Sequence, residues 1–149
     1  KSYGKSICAS EDEPHVSFAS DGDGTAGTNL FLHKEPYFIN TSRKSIKILD
    51  KKIKAEYIYY FLQDMKRQYE LDFRFKANNN YLNYIKIQIP VNDKDEFDID
   101  LQEKYINYYK KIEKIKTDTF NKFFEDMNNF EKNISIQFDK KIKEYFSME

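Results

Sequence analysis

The sequence predicts an α+β fold: a small mixed or antiparallel sheet domain with one packed helix, followed by a long coiled-coil-like spacer helix. Three observations predict it. Between residues 15 and 49, short runs of β-branched and aromatic residues alternate with turn-rich stretches. Residues 52–69 repeat apolar side chains at helical spacing, and from Leu101 to Met148 neither Gly nor Pro interrupts the chain. The division falls in the acidic stretch Asn92–Asp98, giving a head of residues 1–95 and a helix of residues 99–148.

Taken in order, residues 1–15 have no clear period and read as loop. His15-Val-Ser-Phe-Ala alternates as a strand, and Ser20 to Gly27 holds three of the four glycines, a turn. Strands follow at Thr28–Leu32, Tyr37–Ile39 and Ser45–Leu49. From Lys52 to Tyr69, Ile53, Tyr57, Tyr60, Phe61 and Met65 fall at helical spacing, with Asp50 upstream as a candidate cap. Leu71, Phe73 and Phe75 then alternate with Asp72, Arg74 and Lys76, the period of a half-buried strand. Asn78, Asn79 and Asn80 break it. A short element through Tyr84 leads to an alternating strand at Ile85, Ile87 and Ile89, closed by Pro90.

Asp98 and Asp100 are placed to cap the long helix, which at about 1.5 Å per residue is roughly 70 Å if unbroken. Phe120, Phe123, Met127, Phe130 and Ile134 recur at spacings of three and four, a heptad-like seam. An earlier seam through Tyr105, Tyr108, Ile112 and Ile115 is put out of phase by Lys116-Thr-Asp-Thr. A stripe of this length needs a partner helix, in cis or in trans, and self-association through Tyr105, Ile112, Phe120, Phe123, Met127, Phe130 and Ile134 is expected.

Composition narrows the function classes. Formal net charge is zero, which by itself speaks against nucleic acid, but the charge is unevenly spread. Residues 43–86 carry eleven Lys or Arg against five acids, a local +6, whereas residues 1–42 and 87–149 each stand at −3. A basic centre between acidic flanks attracts DNA while the chain stays neutral. The single cysteine, Cys8, makes no intramolecular disulfide, and neither a signal-peptide order nor a membrane-length apolar run is present. A cytoplasmic location without membrane contact is expected. The chain opens on Lys1 rather than Met, which reads as a fragment.

Four stretches carry a family resemblance. Phe18-Ala-Ser-Asp-Gly-Asp-Gly-Thr-Ala-Gly resembles an Asp-Gly-Thr-x-Gly turn between strands, and Tyr57-Ile-Tyr-Tyr-Phe-Leu an amphipathic helix. Ile85-Lys-Ile-Gln-Ile-Pro resembles a closing strand, and Leu101-Gln-Glu-Lys-Tyr-Ile the start of a spacer helix. In this order and spacing, over about residues 15–115, they resemble the target-recognition domain of Type I restriction–modification specificity subunits and of related single-chain Type II enzymes. Two departures stand out. The acidic Asn92-Asp-Lys-Asp-Glu replaces the further prolines usual in that family, and its opening strands are missing, so the domain lacks its N-terminal strands. The resemblance implies readout of half of a split site on double-stranded DNA. It also implies paired spacer helices and docking to methyltransferase and restriction subunits of the same system.

Other constellations are weaker. Asp21-Gly-Asp-Gly-Thr could suggest a calcium loop, but Ala26 stands where an EF-hand needs Gly and Leu32 where it needs Glu. As a tight turn it could still offer the Ser20 and Thr25 hydroxyls to a phosphate. Arg74, Asn78, Asn79 and Asn80 are the base-edge candidates, because Arg pairs with guanine and Asn with adenine, with Lys76 between them a DNA contact to phosphate; otherwise the stretch is a solvated hairpin. Arg43, Lys44, Lys47 and Lys86 are phosphate contacts or surface charge. Cys8 with His15 or His33 is the one thiol–imidazole candidate and lies in no nucleophile motif. No Cys or His pair has metal-ligand spacing. The chain is therefore read as no enzyme by itself and without cofactor, any methyl transfer or cleavage coming from other subunits. The alternative is a coiled-coil scaffold or adaptor with a protein-binding head.

Overall fold

The computed structural model describes residues 4–21, 25–71, 77 and 79–146. The chain is α+β: among the described residues, two small antiparallel sheets and short packed helices are followed by one long helix. It divides into two units, residues 1–107 and 108–149.

In the first unit β1 (Lys5–Ile7) pairs antiparallel with β4 (Tyr37–Ile39). β2 (His15–Ala19) is the centre of a three-stranded sheet, between β3 (Phe31–His33) and β5 (Arg43–Lys47). Because side chains alternate along a strand, Val16 and Phe18 share one face, and both are completely buried. α1 (Ala55–Phe61) packs on β2 and β3. Its Ala55 and Ile58, with Leu62 one turn on, repeat at i, i+3 and i+7 and are buried. The other face of β2 is buried as well, and there the alternation places His15 and Ser17. A polar face that is closed from water must find its own hydrogen bonds.

The predicted helix 52–69 is shorter and broken. It starts at Ala55, because Asp50 spends its carboxylate on the Lys52 N–H in a preceding turn (2.8 Å) and caps no helix. The Lys54 N–H is met instead by Gln102 Oε1 (2.9 Å), while Gln102 Nε2 donates to the Lys52 carbonyl (3.1 Å). A 3-10 turn over Leu62–Asp64 then separates α1 from α2 (Met65–Gln68). Glu70 ends α2 at a left-handed φ of 50°, and the Leu71 N–H reaches back to the Lys66 carbonyl (3.0 Å), a Schellman-type close. Leu71 is thus a buried helix stop; the rest of the predicted strand, 72–76, lies outside the described residues.

Three strand expectations change. β3 begins at Phe31 rather than Thr28, because Thr28 still closes the preceding turn with Thr25 and Ala19, and Asn29 adopts a φ of 52°. β5 runs 43–47 rather than 45–49: its partner β2 begins at His15, opposite Lys47, so the ladder ends there. Ile85–Pro90 forms no strand among the described residues. Its exposure alternates, as the sequence predicts, but its carbonyls serve tyrosine hydroxyls: Tyr69 donates to Lys86 (3.0 Å) and Tyr57 to Gln88 (2.7 Å). β1, within the stretch expected to be loop, is an addition.

α4 spans Ile99–Phe146, and Asp98 caps it by accepting the Leu101 N–H (2.8 Å). Its first turns belong to the first unit. Gln102 and Ile106 are buried there, and Tyr105 packs its ring on Tyr57 at 4.9 Å, so this member of the expected seam is used inside the head. In the second unit Phe120, Phe123 and Phe130 are 62%, 59% and 65% exposed. No helix among the described residues is long and apolar enough to cross a membrane.

Candidate nucleic-acid interface

A cleft of about 690 Å³ opens where β1, β4 and β5 meet. Lys5, Arg43 and Lys44 line it with Gly4, Asn40 and Thr41, and among the described residues its lining includes no carboxylate. In a chain with as many acids as bases, such a concentration of positive charge is a local property of the fold. Lys5 and Lys44 make no ion pair with any carboxylate among the described residues.

Arg43 differs from the two lysines in being held. Its Nη2 donates to Ser17 Oγ (3.0 Å) and to the Asn29 carbonyl (2.6 Å), and its guanidinium lies 4.8 Å from the centre of the Phe31 ring. The register explains this: Arg43 and Ser17 fall on the same face of β5 and β2, and Phe31 stands opposite Ser17 on β3. The left-handed turn at Asn29 brings the carbonyl that accepts from Arg43.

Behind Arg43 lies a polar cluster that the sequence did not announce. Ser17 Oγ is 2.7 Å from His33 Nε2, and the His33 ring stacks on Tyr37 at 3.5 Å and 5°. The Tyr37 hydroxyl meets Ser45 Oγ and lies 3.4 Å from His15 Nδ1, itself 3.3 Å from Ser45 Oγ. His15 Nε2 is buried with no hydrogen-bond partner among the described residues. Burial lowers the pKa of both imidazoles, helped at His33 by the Arg43 charge and at His15 by Lys47. Burial also lowers that of Arg43. The Ser17–His33 pair has the atoms of a nucleophile and base, but Ser17 is completely buried and no substrate reaches its oxygen. Cys8 is exposed and makes no contact with either histidine in these bonds.

The remaining candidates scatter. The Ser20 side chain is buried, and its backbone is a junction: its N–H donates to the Ser42 carbonyl (2.8 Å) and its carbonyl accepts from Ala77 (3.1 Å). That junction joins the β4–β5 turn to the segment entering α3 (Asn79–Leu82), on which Asn79 and Asn80 are exposed. Thr25 gives its hydroxyl to the Asp21 carbonyl (3.1 Å). Lys47 sits at the far end of β5, bound to Glu13 at 2.8 Å. Lys86 is exposed on the 85–90 strap. Arg74, Lys76 and Asn78 lie outside the described residues. Lys5 was missed, because a three-residue strand shows no legible period.

Among the described residues no group of three or more His, Cys, Asp or Glu could hold a metal ion. The chain matches no family model, no curated protein and no solved structure.

Proposed function

We propose that this chain reads DNA, as the target-recognition portion and spacer helix of a restriction–modification specificity subunit. The observation that carries the reading is the cleft of Lys5, Arg43 and Lys44, free of carboxylates among the described residues, in a chain of zero net charge. Cations lining one cleft suit a phosphate backbone, and the Ser42–Ser20–Ala77 junction ties the β4–β5 turn beside it to the chain leading to the exposed Asn79 and Asn80. In this reading the cleft fixes register, and Arg74 with Asn78–Asn80 meets base edges in the major groove. Catalysis belongs to methyltransferase and restriction subunits, and α4 pairs with a second spacer helix.

A titration of labelled duplex at low and high salt tests it. The reading expects affinity to fall steeply with salt, because most of the attraction is to phosphates. A second reading, a scaffold or adaptor with a protein-binding head, is favoured by the exposed aromatic stripe of α4. It expects no duplex binding even at low salt.

A further inference from the structure

We infer that Ser17 and His33 are positioning residues for Arg43, holding its guanidinium as a fixed phosphate contact beside the cleft while Lys5 and Lys44 supply mobile charge. The inference rests on the DNA reading above and assigns roles within that site.

The chemistry of the seat carries it. Both acceptors on Nη2, a serine hydroxyl and a backbone carbonyl, are neutral. The charge of an arginine anchored by carboxylates is offset by them, whereas this one is immobilised by neutral acceptors that leave its charge uncompensated. Nε and Nη1 meet no acceptor among the described residues, so N–H donors remain for a phosphate oxygen. Ser17 is the hinge of the arrangement. Its oxygen accepts from Arg43 and is also within hydrogen-bond distance of His33 Nε2, at 2.7 Å. The His33 ring is kept in place by the stack on Tyr37. Burial and the neighbouring Arg43 charge favour its neutral form. Fixing a long side chain before binding removes ordering entropy that a lysine pays on contact. Neither Ser17, completely buried, nor the stacked His33 ring has to touch DNA for its loss to be felt.

The test compares affinity with the salt slope, using the full chain and one fixed duplex. Ser17→Ala and His33→Leu leave the cleft's charge unchanged, so the slope of log affinity against log salt stays at the wild-type value. Affinity falls about fivefold, the net worth of one typical hydrogen bond. His33→Gln, whose amide oxygen accepts from Ser17, restores the affinity. Arg43→Lys behaves like Ser17→Ala, with slope kept and affinity lost, whereas Lys44→Gln lowers the slope itself. Thermal melts of every variant identify any loss that is unfolding. Wild-type affinity in folded Ser17→Ala and His33→Leu overturns this inference alone, as does a fall in slope for either. Absence of duplex binding by the wild type overturns both it and the DNA reading.

Discussion

Gly27 carries two constraints that only glycine meets. Its φ is +74°, and a Cβ there would stand 2.5 Å from the Leu71 side chain and 3.3 Å from the Lys66 backbone. Gly27→Ala is therefore expected to destabilise the head by about 2–4 kcal/mol, read from urea unfolding. The sequence marks Gly27 only as part of a turn; that the turn presses on the end of α2 is a long-range contact with no local signal. The buried histidines make a second residue-scale prediction. Each is held below its ordinary value of 6.5 in the fold, so below about pH 6.5 the unfolded chain binds protons that the folded chain refuses. Their contribution is complete above that pH and is lost as pH falls through the window beneath it. His33 faces Arg43 and His15, and His15 faces Lys47 with Glu13, so only Glu13 opposes the trend. The Lys47 hydrogen bond and charge lower the Glu13 pKa, which removes stability in the same direction at more acid pH. The melting temperature should fall between about pH 7 and pH 5, and the fall should be smaller in a His15→Gln, His33→Gln variant. An equal fall in both proteins would remove the imidazoles as its cause.

Gln102 shows what happens between elements. It is completely buried on α4, and its amide bridges the Lys52 carbonyl and the Lys54 N–H, 50 and 48 residues away, closing the entry to α1. Gln102→Leu keeps the volume and orphans both backbone groups, which predicts a loss of about 2–4 kcal/mol. Hydrogen exchange at Lys54 should rise before that of β2; protection unchanged at Lys54 would contradict the bridge. Elements long enough to repeat their period were legible: β2, α1 in outline, and α4 with Asp98 as its cap. Those decided by partners were not. The 85–90 strap has the alternation of a strand but gives its carbonyls to Tyr57 and Tyr69, and the helix entry at Ala55 is set by a glutamine from α4. Of the candidate site, the basic character of Arg43 and Lys44 was readable from charge clustering, whereas Ser17 and His33 join it only through strand register.

At the scale of the whole molecule, each of the two units exposes a surface with its own consequence. The second exposes Phe120, Phe123, Phe130 and Ile134 along one helix, and burying each such side chain is worth roughly 1.5–3 kcal/mol. Self-association through this stripe is expected, and sedimentation equilibrium should show a dimer or larger species that Phe123→Asp with Phe130→Asp dissolves. A wild-type monomer at high micromolar concentration would count against it. The first unit carries the central claim, that the cleft of Lys5, Arg43 and Lys44 is where phosphates are held. Its most direct measurement is the salt slope of duplex binding for the wild type, Lys5→Gln, Lys44→Gln and the double variant. Three neutralised phosphates predict a slope of about −2.7 for the wild type, with each lysine removed reducing its magnitude by about 0.9. Duplex binding whose slope is the same in all four proteins would place the DNA elsewhere and contradict the account.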